Sequence, residues 1–221
     1  EDNLNGLPAQ KDNLFGQAYS LRALCYFHLI QFYQQTYIGH EQAPGVPLYI
    51  TPTTSSTPGN PRGTVEEVYA RINKDIERGI SLLKDAEEQG VTQIHKSHID
   101  YYVANGIKSR IALVQNRWKD ALDAAQIALE KPDLKLAGTS DLTKGFNQLG
   151  MVSVLWGAEI QKSDQIGAYA SFFGHMDATA GMHGSYDRKC ISAWLYKQMG
   201  LQDIRRISWW KGEIATALEA S

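Results

Sequence analysis

The chain has 221 residues, enough for one large domain or two small ones, and its 43% apolar and 21% charged residues are the proportions of an ordinary folded protein. A formal net charge of −2 with no long run of either sign gives no electrostatic footprint for nucleic acid. No stretch approaches the ~18 consecutive apolar residues of a membrane-spanning helix, and the two cysteines, Cys25 and Cys190, make neither a disulfide framework nor a CxxC redox motif.

Residues 1–12 are polar and read as loosely attached. From about Leu14 to Tyr37 the spacing predicts one long helix ended by Gly39. Leu21, Leu24, Cys25, Phe27, Leu29, Ile30 and Phe32 cover most of its circumference, leaving a thin polar stripe of Gln17, Ser20, His28, Gln31 and Gln35. Such a helix is expected to be buried on most sides, with Cys25 acting as a small hydrophobe. Arg22 stands on its apolar side and therefore needs a partner, because an unpaired buried guanidinium is very costly. Residues 39–63 hold five Pro and four Gly around the apolar run Val46–Ile50 and read as one long loop.

Thr64-Val65-Glu66-Glu67 is a capping box that opens a second helix, in which Val65, Val68, Tyr69, Ile72, Ile76, Ile80 and Leu83 recur at helical spacing up to the region of Gly90. Ser97 with Asp100 reads as the next cap. Val103, Ala104, Ile107, Ile111 and Val114 give a third helix, Gln115-Asn116 a turn, and Trp118, Ala121, Leu122, Ala125, Ala128 and Leu129 a fourth helix stopped before Pro132. Small residues at Ser109, Ala121, Ala125 and Ala128 let two antiparallel helices approach closely, so this pair resembles a tetratricopeptide repeat. Beyond Pro132 the character changes. Leu134–Leu136 and Val152–Trp156 read as short strands, and residues 163–187 are glycine-rich, aromatic and irregular. Short helices are expected at 191–199 and 211–220. Trp118 and Trp156 read as packing residues.

Three segments carry a family resemblance. Leu21-Arg22-Ala23 with Tyr26-Phe27, then Gly45-Val46-Pro47-Leu48, then Arg62-Gly63-Thr64-Val65 with Glu67-Val68-Tyr69, Ile72 and Asp75-Ile76 are similar, in order, to the hallmark of the SusD/RagB family. Asp203-Ile204-Arg205 resembles that family's D-x-R, and at Val152–Trp156 Ser153 stands where the family has an acidic residue. The resemblance implies a mainly α fold: tetratricopeptide-like helical hairpins over 13–132 and a loop-rich ligand-side region over 133–221, with short helices and little strand, all in one domain. It implies a fragment of a longer lipid-anchored outer-membrane protein on the cell surface of Bacteroidetes. Such a protein binds glycans or other nutrients without catalysis or cofactor and works with a SusC-like TonB-dependent transporter.

The residues themselves offer no enzyme motif: no G-x-S-x-G, no P-loop and no HExxH. His95 and His98 are spaced for a metal but lack a third ligand, and His175 and His183 read as solvated loop residues. Sugars lay C–H faces on aromatic rings and ask for polar groups at the edge, so the glycan-binding candidates are Tyr169, Phe172, Phe173 and Tyr186, with Trp209 and Trp210 as the second group. A plain tetratricopeptide-type protein-binding scaffold is the alternative. It would need regular 34-residue spacing, which the 39–63 loop and residues 133–187 break.

Overall fold

The computed structural model describes residues 5–142, 148–159, 161 and 191–209, except for the side chains of residues 208 and 209. The chain divides into two compact units. One comprises residues 1–135 and 149–158, and the other residues 136–148 and 159–221.

The first unit is built on four helices: α1 (Pro8–Tyr33), α2 (Val65–Glu88), α3 (Tyr101–Val114) and α4 (Trp118–Leu129). Strands β1 (Pro44–Pro47) and β2 (Arg62–Thr64) pair antiparallel between α1 and α2. Helix α1 begins earlier than the sequence pattern suggests, because Pro8 at its first turn needs no N–H partner there. It also ends earlier. Gln34 turns extended and its side-chain amide donates to Pro44 O, while the Tyr37 ring packs edge-on against Tyr69 at 4.7 Å. Tertiary anchoring of Gln34 and Tyr37 thus overrides helix propensity six residues before Gly39.

Helices α1 and α2 run antiparallel, as the cross-pairs Gly16–Leu83, Ser20–Gly79, Arg22–Asp75 and Phe27–Tyr69 require. Their close approach depends on small residues. A Cβ at Gly79 would run into Ser20 Oγ and lie 2.9 Å from Gly16 O, and a Cβ at Gly16 would lie 2.6 Å from Leu83 Cγ. Ser20 is therefore buried, with its hydroxyl donating to Gly16 O at 2.8 Å, rather than lying on a polar stripe. The apolar residues Leu21, Cys25, Leu29 and Phe32 are exposed instead, Phe32 by 81%. Helix α1 buries one face, not most of its circumference, because α2 and α3 pack on the same side of it.

The partner that Arg22 requires is Asp75, which is 1% exposed. Arg22 Nε and Nη2 donate to its two oxygens at 2.7 and 2.8 Å, and Arg71 from the same helix donates to both as well. Around this ion triad lies the apolar core of α1, α2 and α3: Phe27, Ile30, Tyr69, Ile72, Ile76, Val103, Ile107 and Ile111. The Thr64 box forms in full and starts α2. Helix α3 is capped by Asp100 alone, whose Oδ1 accepts from Val103 N at 2.8 Å. Between α3 and α4, Asn116 adopts the left-handed φ of 56° that asparagine tolerates, and Ser109 Oγ donates to Ala121 O at 2.8 Å.

Two further expectations change. Residues 44–47 and 62–64 form a small sheet, where the sequence read as loop. Leu134–Leu136 and Val152–Trp156 are not strands, and one hydrogen bond from Lys135 N to Val152 O joins the first segment to the second. Residues 149–158 instead dock on the 96–97 corner, where Trp156 Nε1 donates to Ser97 O and Lys96 Nζ donates to Met151 O, both at 3.0 Å.

In the second unit the described residues form two short helices, α5 (Thr139–Leu142) and α6 (Ala193–Gln198), and a π-helical turn at Arg205–Trp209. Arg205 grips both oxygens of Asp203 and holds that carboxyl down to about 2, while Arg206 stacks on the ring of buried Tyr196 at 4.6 Å. Among the described residues no helix is long and apolar enough to cross a membrane.

Candidate ligand-binding clefts

The sequence-derived ligand residues fall almost entirely outside the described part of the chain. Tyr169, Phe172, Phe173, Tyr186 and Trp210 lie there, and of Trp209 only the backbone is described, at the end of the π-helical turn. His175, His183 and Cys190 lie outside it as well. Trp118, read as a packing residue, is 62% exposed on the outer side of α4. Trp194 on α6 is also largely exposed, an aromatic surface that the sequence pattern did not single out. Among the described residues no three His, Cys, Asp or Glu side chains converge as a metal site.

The motif residues hold the structure together, and Tyr26, Gly45, Val46, Pro47 and Arg62 also line a groove. Arg22 meets Asp75, Arg62 Nε donates to Gly45 O at 2.6 Å, and Tyr26 OH meets the Tyr49 backbone, accepting from N at 2.6 Å and donating to O at 3.0 Å. These contacts tie the Gly45–Leu48 segment to α1 and α2. They account for the hallmark as a folding device.

Two of the concavities among the described residues of the first unit bear on ligand binding. One, of about 440 Å³, is an apolar groove in which Tyr26, Tyr33 and Tyr49 face Val46 and Pro47, with Arg62 at its edge. The other, of about 340 Å³, is the more polar. It lies where the end of α2, the 91–100 connection, the first turn of α3 and the residues after α4 come together. Each of these elements places its side chains for a local reason. The Asp100 cap fixes the first turn of α3 and so sets Tyr101 and Tyr102, whose rings meet edge to face at 5.4 Å and 71°. Lys131, just past α4, forms an ion pair with Asp100 and donates to Gln93 Oε1 at 2.5 Å. Its ammonium thereby ties three segments together.

Across this cleft the Glu87 carboxyl and the Tyr102 hydroxyl interact. Burial pushes the Glu87 carboxyl above its ordinary value against the opposing pull of the Tyr102 hydroxyl, and the charge of Asp100 adds to the rise. Burial likewise raises the Tyr102 phenol, with Glu87 reinforcing it. Two half-buried rings, a carboxylate with spare lone pairs and an ammonium with a third N–H can meet a hydroxyl-rich ligand on its flat face and at its edges. The sequence pattern did not single out this cleft, whose one local signal is the adjacent pair Tyr101-Tyr102 directly after the Asp100 cap.

Comparison with known proteins bears on the whole chain. A family model described as SusD-like, starch-binding and associating with the outer membrane, matches residues 2–113. A crystal structure of a SusD-like carbohydrate-binding protein from Bacteroides vulgatus is 27% identical, with a TM-score of 0.78 over 93% of this chain and 42% of that one. A second structure from Bacteroides vulgatus is 23% identical, with a TM-score of 0.70 over 89% of this chain and 43% of that one. A SusD superfamily structure from Bacteroides thetaiotaomicron is 20% identical, with a TM-score of 0.55 over 64% and 30%. The last two support the fold alone. No curated protein matches the chain. The chain spans less than half the length of each of these solved structures.

Proposed function

The chain belongs to the SusD-like family, and from that premise we propose that it is part of a cell-surface protein that binds glycans without hydrolysing them. Its parent is held at the outer membrane by a lipid anchor and hands its ligand to a SusC-like TonB-dependent transporter. Residues 13–132 serve as the scaffold and residues 133–221 as the ligand side, where Tyr169, Phe172, Phe173, Tyr186, Trp209 and Trp210 are the proposed contact rings. The observation that carries the reading is the match to the carbohydrate-binding protein from Bacteroides vulgatus across 93% of the chain. The absence of an enzyme motif from the sequence agrees with binding rather than catalysis.

The test is calorimetric titration of the 221-residue chain with a panel of neutral oligosaccharides, followed in parallel by tryptophan fluorescence. Saturable binding that is weakened in Trp209→Ala or Tyr186→Ala supports the reading. A panel without any saturable response overturns it for this chain. A second reading, a helical scaffold for protein segments, is favoured by one observation: Trp118, Leu122 and Leu129 form an exposed apolar row along α4. Retention of a protein partner by the chain together with silence toward every sugar would select that reading.

A further inference from the structure

We propose that the cleft between the end of α2 and the start of α3 is a saccharide subsite on the helical scaffold, one that accepts a neutral pyranose and rejects acidic sugars. The inference rests on the glycan-binding reading above and goes beyond it. It places a binding site on the elements of the scaffold rather than on the aromatic segments proposed as the ligand side, and gives that site a charge selectivity.

Three features argue for it. First, Tyr101 and Tyr102 stand at 71° to one another, so they form a corner rather than a stack. A pyranose lies flat on one such ring and abuts the edge of the other, the pairing of apolar C–H face and aromatic ring that sugar sites use. Second, polar groups line the same cleft as the two rings. Glu87 is an acceptor with two oxygens, able to take two neighbouring hydroxyls. Lys131 keeps one N–H beyond those it gives to Asp100 and Gln93. Third, the charge is one-sided. Among the described residues the lining holds three carboxylates, Glu87, Asp100 and Asp133, against the single ammonium of Lys131, which Asp100 already neutralises. Among the described residues no arginine lines the cleft, so nothing there offers the bidentate cation that a uronic acid or sulfated sugar would seek, and the excess of carboxylates repels it.

The cleft is also prearranged. The Asp100 cap and the Lys131 bridge hold its walls through backbone and ionic contacts that do not depend on a ligand, which limits the ordering cost of binding. The other groove, of Tyr26, Tyr33 and Tyr49, lacks such polar edges, and its arginine is already engaged by backbone carbonyls.

The test uses the full 221-residue chain, labelled with nitrogen-15 and titrated with maltoheptaose as the neutral probe and oligogalacturonate as the acidic one. The expected result is saturable shifts of the Thr92, Gln93, Tyr101, Tyr102 and Lys131 amides with maltoheptaose and none with oligogalacturonate. Tyr101→Ala should weaken the saturable cleft response about tenfold, whereas Tyr101→Phe keeps the ring and retains it. The amide map needs no variant, so a poorly folding substitution leaves the test intact. Saturable neutral-sugar binding whose shifts spare the cleft overturns this inference and leaves the proposed function standing. Equal response to the acidic probe overturns the selectivity. Silence toward maltoheptaose, xylohexaose, mannohexaose and chitohexaose alike removes the proposed function and this subsite together.

Discussion

Replacing Asp75 with Asn is the sharpest test of how the scaffold is held. The carboxylate is 1% exposed and accepts from both Arg22 and Arg71, with the Arg22 contacts at 2.7 and 2.8 Å. Asparagine keeps the shape but removes the charge, and its amide NH2 must face a guanidinium that also only donates. Two cations then lose their counter-charge at once. Breaking a buried pair costs about 3–5 kcal/mol, and the value here should lie near the lower end, at about 3 kcal/mol, because Arg22 and Arg71 keep 28% and 18% of their side-chain surface in water. Thermal unfolding followed by far-ultraviolet circular dichroism should show a midpoint lowered by roughly 6–12 °C for a chain of this size. Arg22→Met is the contrast. It leaves Asp75 paired with Arg71 and fills the stem, so about 1–1.5 kcal/mol is expected, the worth of hydrogen bonds to a charged group less the retained packing. A loss under about 1 kcal/mol in Asp75→Asn, or equal losses in the two variants, would refute the view that one carboxylate serves two cations.

Three other outcomes follow from the same packing. Gly79→Ala drives a methyl into Ser20 and the α1 backbone and should cost about 1–3 kcal/mol in urea unfolding, whereas at an uncrowded helix position the same change would stabilise. Thr64→Ala removes half of a complete capping box and should cost about 1 kcal/mol by the same measurement, with Thr64→Ser close to wild type. Tyr69 has its phenol pushed up to about 12, first by burial and then by the nearby Tyr37 charge. Its neutral form is favoured in the folded chain, so the associated stability is complete below pH 10 and is lost as pH rises through about 12. Tyr69→Phe should abolish that part of the alkaline loss in midpoints measured between pH 9 and 12, and an unchanged alkaline slope would contradict it.

Much of the scaffold could be read directly from the residues. The Thr64 box, the α2 and α3 periodicities and the demand of Arg22 for a carboxylate are local or pairwise signals, and each found its structure. The departures have a common cause: they depend on contacts between distant segments. Gly16 and Gly79 look like weak helix positions until the two helices are crossed. The pairing of residues 44–47 with 62–64 is hidden by Pro44, Pro47 and a bulge between them, since proline reads against a strand except at an edge. Cys25 and Phe32 read as core because apolarity alone does not say which side of a helix meets its neighbours. The Glu87–Tyr102–Lys131 cleft was illegible for the same reason, since it gathers the end of one helix, the start of a second and the residues after a third. The proposed contact rings lie almost wholly outside the described residues, so their place rests on sequence and resemblance.

The hydroxyl of Tyr26 stands in for a missing strand. By accepting from Tyr49 N and donating to Tyr49 O, it satisfies the peptide groups that a ladder would otherwise engage, and Asn60 Nδ2 secures Leu48 O at 2.7 Å. Everything between those two anchors, residues 51–59, projects into water. Lengthening that span touches no buried group and adds only about 0.6 kcal/mol of closure entropy per doubling. It is accordingly the place to insert an epitope, a fluorophore site or a surface tether while leaving the helices undisturbed.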